Sequence, residues 1–277
     1  MENHRGRKSI VFPRPPVILA HASVAGKKEA QGPLRDTFDL TSQDTTFGQK
    51  SWEKAETQMQ KTALRLALEK AKLKETDLDA AFVGDLLNQC IGSSFSMRNN
   101  DVPTFGLYGA CSTMAESLLL AGISVSGGFC RKALALTSSH FASSERQYRF
   151  PLGYGGTAQW TVTGAGAVIL SGEGKGPCLE RATIGTIVDA GIKDANNMGA
   201  AMAPAAFETL RAHFDDFHCA PEEYDLIVTG DLGKLGSELV RELFSREGVR
   251  LGSRYQDCGV LIFDAESQDV HCGGSGC

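Results

Sequence analysis

Cys111 is the residue of this chain best placed to do chemistry. It follows a short apolar run that ends in Gly109-Ala110, and it opens an Ala-, Leu- and Glu-containing stretch that reads as a helix. A strand-to-helix turn sets such a side chain against unpaired backbone N–H groups and the positive end of the helix dipole. Both favour a thiolate or a bound anion. Two chemistries follow: Cys111 is an activated nucleophile, or it forms, with the N–H groups of Ser112 and Thr113, the floor of a carboxylate pocket. A nucleophile needs a base and a cradle for the developing oxyanion. Polar groups concentrate in Thr137–Phe150, which holds Ser138, Ser139, His140, Ser143, Ser144, Glu145, Arg146 and Arg149. Guanidinium forks and hydroxyls suit a small dianion. Arg146 and Arg149 are candidates for the charge, Ser139 and His140 for orientation. His140 is also a candidate base for Cys111.

The elements that must hold these groups are legible from periodicity. Trp52, Ala55, Met59, Ala63, Leu66, Ala67 and Ala71 recur at helical spacing and predict an amphipathic helix over Trp52–Ala71. Ala80–Gly84 reads as a buried strand, and the Cys111 turn leads into a helix reaching about Ser126. Lys132–Ser138 and Thr161–Ser171 read as further strands, with the polar stretch Ser139–Gln159 between them. Arg181–Val188 (strand), Ala201–Phe217 (helix), Tyr224–Gly230 (strand) and Leu235–Phe244 (helix) restart the pattern. Such alternation predicts α/β architecture with parallel sheets and crossover helices. Residues 10–24 read as an opening strand and loop, which Pro13, Pro15 and Pro16 confine to an irregular or edge position.

The second part echoes the first. Phe82-Val83-Gly84-Asp85-Leu86 returns as Val228-Thr229-Gly230-Asp231-Leu232, offset by 146 (84 to 230). Gly109-Ala110-Cys111-Ser112 returns more loosely as Gly273-Gly274-Ser275-Gly276, offset by 164 (109 to 273). Two echoes in one order predict two similar α/β halves, residues 1–176 and 177–277, related by a pseudo-twofold axis. Asp85 and Asn88 end a buried strand where open α/β sheets place ligands, although helix capping is the plainer role for Asp85 and for Asp231.

Composition excludes several classes. A net charge of −5 and a pI near 5.7 argue against a general nucleic-acid binder, so Arg5, Arg7, Lys8 and Arg14 read as a solvated edge. The eight cysteines are scattered without a CxxC pair, and no apolar signal segment precedes them, which suits reduced thiols. The apolar runs are too short to span a bilayer. Gly153-Tyr154-Gly155-Gly156 and Gly164-Ala165-Gly166 lack the spacing of a phosphate loop and read as turns or close strand packing. No EF-hand loop or dense oxygen-ligand cluster appears, so neither a metal nor another cofactor is expected.

Two α/β halves with a cysteine opening the first central helix resemble the thiolase superfamily, nearest to ketoacyl-ACP synthase III-type enzymes. The wording is closer to one branch. Asp85-Leu86-Leu87-Asn88-Gln89, Gly106–Thr113, Thr137–His140, Gly199–Ala206, Thr229–Leu232 and Cys272–Cys277 resemble the stage V sporulation protein AD family. The resemblance implies a non-enzymatic thiolase-like protein that binds dipicolinic acid, or its calcium chelate, during uptake into the developing spore. It implies a pocket around Cys111, Ser112, Ser139, His140 and Arg146, with Cys111 a vestigial nucleophile. It also implies a homodimer, membrane partners among the other stage V sporulation A proteins, and a cytoplasmic location peripheral to the forespore inner membrane. The departures from the enzymes agree: the strand ending Val228-Thr229-Gly230-Asp231 carries no histidine, and Gly273-Gly274-Ser275 carries no asparagine. Family members continue past this point through another helix and two strands, so the second half is expected to be incomplete. An acyltransferase with an atypical base, and a purely structural partner of a membrane complex, are the rival expectations.

Overall fold

The computed structural model describes residues 3–148 and 155–277; Arg149, Gly153 and Tyr154 lie outside the described residues. The early strands are β1 (His4–Arg5), β2 (Ser9–Val11), β3 (Val17–Ala25), β4 (Leu40–Thr41), β5 (Ala80–Asp85) and β6 (Thr104–Leu107). They are followed by β7 (Lys132–Ser139), β8 (Trp160–Thr161), β9 (Gly164–Ser171) and β10 (Arg181–Thr183). β11 (Ile227–Thr229), β12 (Tyr255–Asp257) and β13 (Gly274–Ser275) complete the set. The helices are α1 (Trp52–Ala71), α2 (Ile91–Met97), α3 (Thr113–Ser126), α4 (Phe141–Tyr148), α5 (Met198–Phe217), α6 (Gly233–Arg246) and α7 (Cys258–Leu261).

The described residues form two compact units, one of 12–148, 161–180 and 276–277, the other of 3–11, 155–160 and 181–275. The first is built on a six-stranded sheet in the order β4-β3-β9-β7-β5-β6. Alternation along its central strands explains the layering. Ala81, Val83, Leu134 and Leu136 face α1, packing on Met59, Ala63, Leu64, Ala67 and Leu68. Ala80, Phe82, Ala133 and Ala135 face the other way, toward Ala121 and Val125 of α3. Each large apolar side chain buried in these layers contributes roughly 1.5–3 kcal/mol. The sheet is mixed rather than parallel: β5 runs parallel to β6 and β7, whereas β9 is antiparallel to both β7 and β3. An apolar run carries no mark of its direction, so this was not visible from hydropathy.

In the second unit β2 joins β1 and β10 in a small antiparallel sheet, and β11 lies parallel to β12. Its core is Phe207, Phe214, Leu232, Val240, Phe244, Leu251 and Tyr255. Here α5 and α6 meet where Gly199 faces Gly236; a β-carbon on Gly236 would lie 2.9 Å from Gly199 O. The predicted strand over Arg181–Val188 stops at Thr183, and Ile184 and Ile187 are exposed.

The two units repeat one order of elements: strand, long helix, 3-10 turn, strand, helix, strand. The register is constant from the long helix to the aspartate that follows it. α1 and α5 both end at a left-handed residue, Lys72 (φ 55°) and His218 (φ 51°), and 3-10 turns start at Glu75 and Pro221. Asp85 and Asp231 follow. Each pair is 146 positions apart.

Candidate functional site

The C-terminal ends of β5, β6 and β7 converge on the Cys111 turn, all within the first unit. β6 is registered on β5 so that Leu107 pairs with Gly84. The chain then bends through a 3-10 turn, Ala110–Ser112, before α3 begins at Thr113. Ala110 has φ of 48°, a left-handed conformation that disfavours a residue with a side chain. Two hydroxyls hold the bend: Ser112 Oγ donates to Gly109 O at 2.8 Å, and Thr113 Oγ1 to Ala110 O at 2.6 Å. The main-chain N–H groups of Ser112 and Thr113 donate to the same two carbonyls. The two amides expected to face a ligand are therefore used by the turn itself, because a 3-10 turn intervenes between strand and helix. Cys111 is half-buried and Ser112 exposed.

Gly109 lies against the Glu116 carboxylate, whose buried Oε2 has no hydrogen-bond partner among the described residues. This places a carboxylate in the first turn of α3, where it competes with any anion drawn to the helix start.

The other predicted residues divide. Ser139 is buried at the end of β7, its hydroxyl donating to Val162 O at 2.7 Å, with Gly276 packed against it. Beside it Thr137 Oγ1 lies 3.4 Å from both Met114 Sδ of α3 and Cys277 O. The Cys272–Cys277 motif thus brings its last two residues to the β7 end and α3. His140 is also buried, and both ring nitrogens are engaged: Nε2 bonds Thr45 O at 2.8 Å and Nδ1 accepts from Ala142 N–H at 3.2 Å. These partners assign the neutral Nε2–H tautomer, and burial pushes the imidazole below its ordinary range. Arg146 turns to α1, pairing with Glu53 and lying over the Trp52 ring at 5.6 Å.

Two tyrosines also stand here that sequence reasoning passed over. Tyr108 and Tyr148 bond each other and share Leu86 O, with Asn88 Oδ1 at 3.4 Å from Tyr148. Burial, then the neighbouring Tyr108 hydroxyl, pushes the Tyr148 phenol up. Tyr108 lay three residues before Cys111 and was visible in the motif; Tyr148 needed α4 to be recognised. Among the described residues no three His, Cys, Asp or Glu side chains gather as a metal site.

The capping roles also differ from expectation. Asp85 is not the residue before α2; it reaches across to accept from Ser93 N at 2.7 Å and Leu87 N at 2.8 Å. At the start of α6 the acceptor is Asp257, which takes Leu232 N and Gly233 N at 3.0 and 2.9 Å. Asp231 is buried, and its main-chain oxygen accepts from Gln159 Nε2 at 2.7 Å.

With this geometry in view, comparison with known proteins is decisive. The family model of Stage V sporulation protein AD (SpoVAD) matches residues 6–277. The chain belongs to the stage V sporulation protein AD family. The Stage V sporulation protein AD of Bacillus subtilis (strain 168) is 43% identical over 276 residues, spanning 98% of this chain and 81% of that protein. Family membership supports a role in sporulation. Solved structures share the fold at low identity. The 3-oxoacyl-[acyl-carrier-protein] synthase III from Aquifex aeolicus VF5 superposes with a TM-score of 0.56 at 14% identity, over 93% of this chain and 87% of that one. A Xanthomonas campestris OleA structure gives 0.56 at 13%, over 96% and 87%. The fold is thus α/β and thiolase-like. Among the described residues no helix is long and apolar enough to cross a membrane.

Proposed function

We propose that this member of the sporulation AD family is a non-catalytic binding protein for dipicolinic acid or its calcium chelate, acting in dipicolinate uptake into the developing spore. The observation that carries the non-catalytic part is His140. The imidazole that would serve Cys111 as base donates to Thr45 O and accepts from Ala142 N–H, so it has no nitrogen left for a thiol. The positions after β11 and at 273–275 carry neither a histidine nor an asparagine. Ligand recognition falls to the half-buried Cys111 with Ser112, to the Ser139 end of β7, and to His140 and Arg146 as they shape the wall.

Calorimetry with dipicolinate, with and without calcium, tests this reading. Saturable heat is expected, and alkylation of Cys111 is expected to weaken affinity at least tenfold. Heat unchanged by alkylation moves the pocket elsewhere; no heat leaves scaffolding of membrane subunits as the role. Incubation with acyl-CoA followed by mass spectrometry separates the enzyme reading. An acyl group that appears on Cys111 and turns over refutes a silent thiol.

A homodimer is part of the proposal, formed across the outer edge of β6. That edge exposes Phe105, and nearby α2 exposes Ile91 and Phe95. Unpaired strand edges beside apolar side chains favour pairing with another chain. Phe105→Asp is expected to convert a dimer to monomers in sedimentation equilibrium. Monomers in the unmodified protein would refute the edge pairing. Association with other stage V sporulation A proteins at the forespore inner membrane completes the picture.

A further inference from the structure

Behind the Cys111 turn lies a cluster of polar side chains, all buried: Glu56 and Gln60 of α1, Asp85 of β5, Ser93 and Ser96 of α2, Ser138 of β7 and Ser143 of α4. Gln60 Nε2 reaches Ser138 Oγ (2.8 Å), Gly84 O (3.1 Å) and Ser93 Oγ (3.2 Å), and Gln60 Oε1 accepts from Ser96 Oγ (2.5 Å). Ser93 donates its hydroxyl to Asp85 Oδ2 at 2.5 Å. Glu56 Oε1 lies 2.9 Å from Ser138 Oγ, and Glu56 Oε2 lies 2.9 Å from Ser143 Oγ. Gly92 fits between the two acids: a β-carbon there would stand 3.3 Å from Asp85 Oδ2 and 3.6 Å from Glu56 Cγ.

At Ser96 and at Ser143 one hydroxyl proton faces two acceptors, and only at Ser143 is one of them, Glu56, a group that can supply the second proton. Ser143 Oγ has one proton but two acceptors in reach, Glu56 Oε2 and His140 O, the latter at 3.1 Å. Both contacts are satisfied together when Glu56 itself carries a proton, donating to Ser143, which then donates to His140 O. That carbonyl also receives Ser144 N–H at 3.0 Å and forms the first turn of α4.

We propose that Glu56 and Asp85 form a proton-dependent clamp on α4 and the β5–α2 turn, closed when one proton is held by Glu56 and loosened when that proton leaves. With the proton gone, Ser143 must choose between Glu56 and His140, and two carboxylates face each other in a buried space. The groups around the pair are consistent with this. Asp85 is the charged neighbour from β5, while α2 and β7 present only hydroxyls. On α4, Glu145 accepts from Thr161 Oγ1 at 2.7 Å, and Arg146 is taken by Glu53 of α1. The neutral His140 offers no compensating cation.

Burial, then the charge of Asp85, pushes the Glu56 carboxyl up to about 8. The folded value exceeds the unfolded one, so this stabilisation is complete below about pH 4.5 and is lost as pH rises toward 8.

Glu56→Gln provides the test, because its amide donates to Ser143 and accepts from Ser138 without titrating. Thermal midpoints from pH 5 to 9 are expected to fall in the unmodified protein and to run flatter in E56Q. Amide protection in 86–97 and 141–148, corrected for intrinsic exchange, is expected to drop above pH 8 in the unmodified protein alone. Parallel pH profiles in both proteins would overturn the clamp. Should E56Q fail to fold, infrared spectra decide. A protonated-carboxyl band that survives at pH 7 in Glu29→Gln and vanishes above pH 8 supports the clamp, since Glu29 is the other buried glutamate whose carboxyl is raised, to about 7, and absence of the band at pH 7 in that variant overturns it.

Discussion

Gly84→Ala is expected to lower the melting temperature by about 10 °C, the loss that overpacking of roughly 3 kcal/mol gives in a unit of this size. The added methyl would stand 2.5 Å from Leu107 O and would run into Thr113 Cγ2. Leu107 O is main chain on the strand paired with β5, and Thr113 opens α3 with its hydroxyl tied to Ala110 O. Neither can retreat without opening the Cys111 turn, so binding at that turn should fall with stability. Gly166 of β9 is the matched control. It too lies in the central sheet, but a β-carbon there meets nothing within 4 Å. Gly166→Ala should leave the melting temperature unchanged or slightly raised, since alanine restricts the unfolded chain. Differential scanning calorimetry of the pair separates close packing from a general intolerance of side chains in the sheet.

Asp257→Ala is expected to destabilise the second unit by about 3–4 kcal/mol, because it orphans several buried donors at once. The carboxylate accepts from Leu232 N, Gly233 N and Thr229 Oγ1, the last at 2.7 Å. Asp257→Asn keeps one acceptor oxygen and should lose less. Its pH dependence has a definite sign. Burial holds the Asp257 carboxyl above its ordinary range, so ionisation is harder in the folded chain than in the unfolded one. The aspartate's stabilisation is complete in acid and declines as pH rises through the folded value. The deficit of D257N is therefore largest in acid and shrinks toward neutrality, which urea denaturation at a series of pH values checks.

How far the sequence foretold this arrangement depends on which physical signal each part left. Trp52–Ala71 is a helix between those very limits, because its apolar stripe is long and Ser51 caps it. The Cys111 turn was legible because an apolar strand, small residues and a helix-forming run adjoin in that order. Glu56 and Gln60 are not among the residues that the helical spacing marks, although they lie on the same helical face as Ala55, Met59 and Ala63 and are buried with them. For these two, position on the helix is a better guide to burial than residue type. α4 was hidden in a polar stretch because its inward contacts are made by Ser143 and Glu145, not by apolar side chains. The orientation of His140 left no trace in the sequence at all, since its partners Thr45 and Ala142 are set by the fold. Asp231 lies just past β11 and Asp257 ends β12, and only tertiary packing decides which one meets the start of α6.

A constant 146-residue offset from the long helix to the aspartate that follows gives this protein an internal reference standard. Lys72 answers to His218, Glu75 to Pro221 and Asp85 to Asp231, each at the same station in its own unit. A lesion at one station can be scored against its counterpart in the same tube, under identical solvent and temperature. Differences between such twins then report what each unit adds at a shared station of the repeated order.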